Sequence, residues 1–130
     1  MTDTPYTVVN LKEVEDMAPS GGLAPNLEAR FARKPLELEQ SGLSYFRMAP
    51  GFREPFGHSH GTQEEVYVVV RGSGLLKLDD EIIEVERLDA IRVSPDVTRA
   101  FEAGDEGLEV IAFGPRRDGD GEIDPDFWTD

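Results

Sequence analysis

The sequence predicts an all-β sandwich or barrel, and two observations carry that prediction. About eight short apolar or alternating stretches are separated by Gly, Pro and Asp turns, and no segment sustains helical periodicity. The 130 residues suit one domain, and the absence of Cys excludes disulfides, thiolate metal sites and Cys nucleophiles. Composition divides the chain into an N-terminal arm (1–26), a barrel domain (27–115) and an acidic C-terminal tail (116–130).

In the arm, Asn10 can cap one short helical turn, and the Pro- and Gly-rich stretch 18–25 ends it as a loop. Residues 27–33 alternate apolar and polar, the mark of a strand with one buried face. A second strand is expected over 43–49. Residues 65–70 are apolar on both faces, as in a central covered strand, and Gly72-Ser73-Gly74 is expected to break it. Residues 75–85 read as a hairpin turning at Asp79-Asp80, and strands over 90–93, 98–103 and 108–113 complete the series. The tail has loop composition, but it ends in Phe127 and Trp128, rings expected to dock on the barrel or on a partner subunit.

Thirteen basic residues stand against 27 acidic ones, a net charge of −14. Such a chain repels phosphate backbones and anionic lipid, so nucleic acid and membrane surfaces are not expected partners. No apolar run approaches the roughly 20 residues of a membrane helix. The first residues lack a signal-peptide pattern, so a soluble cytoplasmic protein is expected.

The two histidines of the sequence are His58 and His60. On an extended segment, residues i and i+2 face the same side about 6.5–7 Å apart. Beyond a bend at Gly61-Thr62, Glu65 returns beside them at the start of the apolar strand. Two His and one carboxylate form a facial ligand set suited to one divalent ion such as Fe, Mn, Zn or Ni.

These residues resemble the first motif of the cupin superfamily, G-x5-H-x-H-x3,4-E-x6-G. His58, His60, Glu65 and Gly72 fit it, while the opening Gly51 stands one residue too far away. The resemblance implies a small cupin β-barrel, a double-stranded β-helix or jelly roll, over residues 43–114. The second motif, G-x5-P-x-G-x2-H-x3-N, is eroded. Its frame falls on residues 88–103, where Leu88, Ser94, Asp96, Arg99 and Ala103 replace the signature residues. Asp96 is expected to stand in for the second Gly through its tolerance of left-handed backbone.

Arg99 occupies the place where the family supplies a further His ligand, and a guanidinium has no lone pair to give. Either Arg99 turns aside and His58, His60 and Glu65 hold a metal with water, or Arg99 sits in the site and pairs with Glu65. A fixed charge about 5 Å from a divalent ion costs roughly 6 kcal/mol at an effective dielectric near 20. An inward Arg99 can instead anchor the anionic group of a small ligand. Tyr67 and Tyr45 are further candidates for orienting a small-molecule ligand inside the barrel.

The resemblance implies a metal-dependent small-molecule enzyme of dioxygenase or isomerase type. The alternative is a metal-free anion-binding module built on Arg99. A homodimer is expected, because the outer face of residues 65–70 needs a cover.

Overall fold

A computed structural model describes residues 5–115 and 120–129. Among the described residues eight strands form, in chain order β1 (Leu27–Phe31), β2 (Ser41–Met48), β3 (Gly57–His60), β4 (Glu65–Leu78), β5 (Glu81–Glu86), β6 (Ala90–Val93), β7 (Arg99–Pro115) and β8 (Gly121–Asp124). All pairings are antiparallel, and the sheet curls into a barrel. No helix among the described residues is long and apolar enough to cross a membrane.

The arm is pinned rather than loose. Asn10 accepts a hydrogen bond from the Lys12 amide and caps a 3-10 turn at Leu11–Glu13, as its position predicts. Asp16 accepts from the amides of Ala18 and Ala29, tying the arm to β1. β1 stops at Phe31, short of the expected boundary, and a single helical turn α1 (Arg33–Leu36) follows. Pro35 lacks the amide that a continuing strand would need.

β4 and β7 are the two long strands, and both depart from expectation. Gly72-Ser73-Gly74 does not end β4; the strand continues through register shifts there. At Gly72 (φ +77°) a Cβ would lie 2.1 Å from the Gly107 carbonyl oxygen, so this glycine marks close strand approach rather than a break. β7 runs unbroken where two strands were expected, bending at Gly104–Gly107 opposite that shift. The hairpin turn at Asp79-Asp80 and strand β6 fall where the sequence places them.

Period-2 geometry separates the two faces. Met48, Val69, Leu76, Leu108 and Val110 are buried in the interior cluster with Tyr67, Phe101 and Ala112. Leu43, Phe113 and Val66 are register neighbours in one row of the outer face, with Phe113 45% exposed.

The eroded second motif also folds differently from its expected form. Asp96 does not adopt a left-handed backbone; Leu88 does, at φ +74°. Within the tail, Gly121–Asp124 form a strand, β8, which pairs with β3, whereas loop composition was expected. Phe127 docks on the barrel as anticipated, buried beneath Lys77. Trp128 stacks under Arg53 and donates its indole N–H to the Glu54 carbonyl.

Candidate metal centre

β3 is short and extended, so His58 and His60 face one side, as their spacing predicts, with ring centroids 5.3 Å apart. Both flanking glycines make room for the C-terminal segment. A Cβ on Gly57 would lie 2.6 Å from the Phe127 ring, and one on Gly61 would lie 2.7 Å from Asp120 Oδ1. Across the bend, Glu65 opens β4 and points back at the pair. Its Oε1 lies 3.6 Å from His58 Nε2 and 3.7 Å from His60 Nε2.

Arg99 enters from β7, where the register sets it directly opposite His58. It is completely buried, and its Nη2 donates to Glu65 Oε1 at 2.9 Å. Nη1 donates to the carbonyls of Val97, Pro95 and Ser94, and Nε donates to the Tyr67 hydroxyl. Of the two placements open to it, Arg99 takes the inward one. It is a committed cation, with three sets of partners holding its plane.

Tyr67 projects into the same cluster, as expected. Its hydroxyl donates to Glu65 Oε1 at 2.5 Å and sits 3.4 Å from His58 Nε2. Tyr45 does not join them, contrary to expectation. It lies on the opposite face of β2 from the interior residues Phe46 and Met48, beneath Lys12, with its hydroxyl donating to Glu109.

The electrostatics follow from these contacts. Burial pulls the Glu65 carboxyl upward, but the neighbouring His58 and the hydrogen bonds from Tyr67 and Arg99 outweigh it and hold the pKa at about 2. Burial and the adjacent Glu65 charge push the Tyr67 phenol well above its ordinary value, so it stays protonated. Burial lowers His60, against the upward pull of Glu65, which keeps the imidazole neutral with a lone pair to offer.

Both ring nitrogens of His60 are buried without a hydrogen-bond partner. An orphaned imidazole beside an ionised carboxylate calls for a ligand, either an ion or a water. Ligand atoms of His58, His60 and Glu65 all lie within 4.8 Å of one another, a separation a single cation can span. The donor set fits a divalent metal, with the Arg99 charge opposing it.

Two residues of this neighbourhood were not read from the sequence. Asp120, in the tail, accepts hydrogen bonds from the amides of Gly61, Thr62 and Gln63, and its Oδ2 lies 3.8 Å from His60 Nδ1. Glu54 accepts from the Phe101 amide, and burial pushes its carboxyl up, with the Phe101 bond and His58 pulling it back. Neither sits in a spacing that marks it; only their return through the fold brings them near.

The curled sheet with its two long paired strands superposes on a cupin protein from Bacteroides fragilis, covering 89% of this chain and 88% of that one with a TM-score of 0.71 and 21% identity. The fold is a cupin barrel. A polyketide cyclase from Streptomyces resistomycificus also superposes, with a TM-score of 0.73, 20% identity, and 95% of this chain and 87% of that chain covered. A sugar phosphate isomerase of the cupin superfamily from Silicibacter pomeroyi gives 0.67, 17% identity, and coverage of 85% and 76%. No family model matches the chain. An uncharacterized protein of Methanocaldococcus jannaschii is 36% identical over 55 residues, 42% of this chain and 44% of that protein, so the likeness spans under half of either.

Proposed function

We propose that the protein is a metal-dependent enzyme acting on a small molecule, with His58, His60 and Glu65 holding one divalent cation. The observation that carries this reading is the His60 ring, whose two nitrogens are buried without a hydrogen-bond partner 3.7 Å from the Glu65 carboxylate. Two proteins that share the fold are named as enzymes, a polyketide cyclase and a sugar phosphate isomerase, which favours an enzyme by analogy of fold.

A cation held there would supply Lewis-acid or oxygen-dependent chemistry. Arg99 and Tyr67 fix the Glu65 carboxylate through Oε1, orienting it toward the histidines. His58, with its side chain 29% exposed, is the most solvent-accessible member of the set and marks the side from which a small ligand enters. The charge of Arg99 opposes the cation, so affinity is modest.

The anion-binding alternative needs Arg99 free. Its guanidinium is completely buried and already bonded to Val97, Tyr67 and Glu65, which counts against it. The apolar row of Leu43, Phe113 and Val66 supports a homodimer that covers this face.

Calorimetric titration of the untagged chain with Zn, Ni, Mn and Fe(II) tests the reading. One ion per chain is expected for at least one metal, with binding lost in His58→Ala and in His60→Ala. Absence of binding at millimolar metal overturns it.

A further inference from the structure

We propose that Asp120, carried by the C-terminal segment, positions the His60 ring and selects its tautomer, so that Nε2 presents its lone pair toward His58 and Glu65. The proposal rests on the cation-site reading above and adds a residue from outside both motifs.

The placement of Asp120 is built rather than incidental. β8 pairs with β3 in a register that sets Gly121 opposite His60. The preceding Asp120 therefore lands on the turn between the His strand and Glu65. Its carboxylate accepts the amides of Gly61, Thr62 and Gln63 at 2.8–3.1 Å, and its backbone carbonyl accepts Gly61 again at 3.0 Å. Gly61 admits this approach because it has no side chain.

His60 thus sits between two carboxylates, with Glu65 3.7 Å from Nε2 and Asp120 3.8 Å from Nδ1. The two are not equivalent. Glu65 is already neutralised by the Arg99 guanidinium and bonded by the Tyr67 hydroxyl. Asp120 receives amide hydrogen bonds, and among the described residues no Lys or Arg pairs with it. With Glu65 engaged by Arg99 and Tyr67, Asp120 is the carboxylate placed to hold the single proton of the neutral ring on Nδ1. A carboxylate behind the distal nitrogen is the arrangement that orients metal-binding histidines in general.

Nitrogen-15 NMR of the ring, at a pH where His60 is neutral, tests the tautomer without any metal. The wild type is expected to show a protonated Nδ1 and an unprotonated Nε2. Asp120→Asn and Asp120→Ala are both expected to lose that bias, while a thermal melt confirms that each is folded. Zinc titration should show affinity about 10–100-fold lower in both variants. A wild-type ring protonated at Nε2 overturns the proposal. So does an Asp120→Asn protein that keeps both the wild-type tautomer and the wild-type affinity, because Asp120 would then only cap the turn. If the wild type binds no zinc, the functional reading falls and the tautomer comparison alone decides the role of Asp120.

Discussion

Replacing Arg99 by His exchanges a committed cation for a potential ligand, and the structure fixes the size of the effect. The guanidinium lies 2.9 Å from Glu65 Oε1, so a cation on the far side of that oxygen would stand about 5 Å from the charge. Each unit of charge then costs about 3 kcal/mol at an effective dielectric of 20, or roughly 6 kcal/mol for a divalent ion. His58 is partly open to solvent, which screens part of this. A gain of at least about 100-fold in zinc or nickel affinity is the expected result, equivalent to about 3 kcal/mol.

The same change removes bonds to Val97, Tyr67 and Glu65 from a fully buried position. Breaking one side of a buried pair costs about 3–5 kcal/mol, so the apo variant melts earlier than the wild type. Added metal should recover about 2.7 kcal/mol at a hundred times Kd, a far larger rise than in the wild type. Titration calorimetry and thermal melts with and without zinc read both effects. Arg99→Gln removes the charge without adding a ligand and should give an intermediate affinity. A folded Arg99→His protein that binds zinc no more tightly than wild type refutes the reasoning.

Three further outcomes follow from other parts of the fold. Leu88 holds a left-handed backbone while 67% exposed, so Leu88→Gly should raise stability by up to about 1 kcal/mol in denaturant titration, as strain is relieved against added chain entropy. Gly72→Ala places a Cβ 2.1 Å from the Gly107 carbonyl at φ +77° and should cost several kcal/mol or prevent folding, read by expression and circular dichroism. Glu28 is held near pKa about 2, below its ordinary 4.5, by Lys12, Arg47 and Arg30 against the upward pull of burial. Its stabilising contribution is therefore complete above about pH 5 and fades as pH falls through 4.5 toward 2. Glu28→Gln should cost about 1 kcal/mol at neutral pH, and the two melting curves should converge at the acid end.

The fold class was legible because the alternation along residues 27–31, the doubly apolar run 65–70 and the hairpin over 75–85 are all short and bounded by turn residues. The continuity of β4 and β7 was not legible. Glycine reads as punctuation in a sequence, yet Gly72 serves to let two backbones meet, and only the partner strand reveals this. β8 was hidden for a related reason. Its four residues are exposed and include a single apolar one, Ile123, and they become a strand because β3 offers an edge.

At the site, His58, His60 and Glu65 could be read because two ligands share one strand and the third follows one turn later. Arg99 could be placed only through its resemblance to a motif frame, and its partners follow from the register of β7 against β3. Tyr45 shows the limit of type-based choice. A phenol on a barrel strand has even odds of facing inward, and this one faces Glu109.

The most direct test of the central claim is an anomalous-difference map from crystals of the untagged protein soaked in zinc. The account predicts one peak at coordination distance from His58 Nε2 and His60 Nε2, about 2.0–2.1 Å from each, with a Glu65 oxygen at about 2.0–2.2 Å. A saturated crystal with no density among these three side chains, or with zinc held only at surface carboxylates, would contradict it.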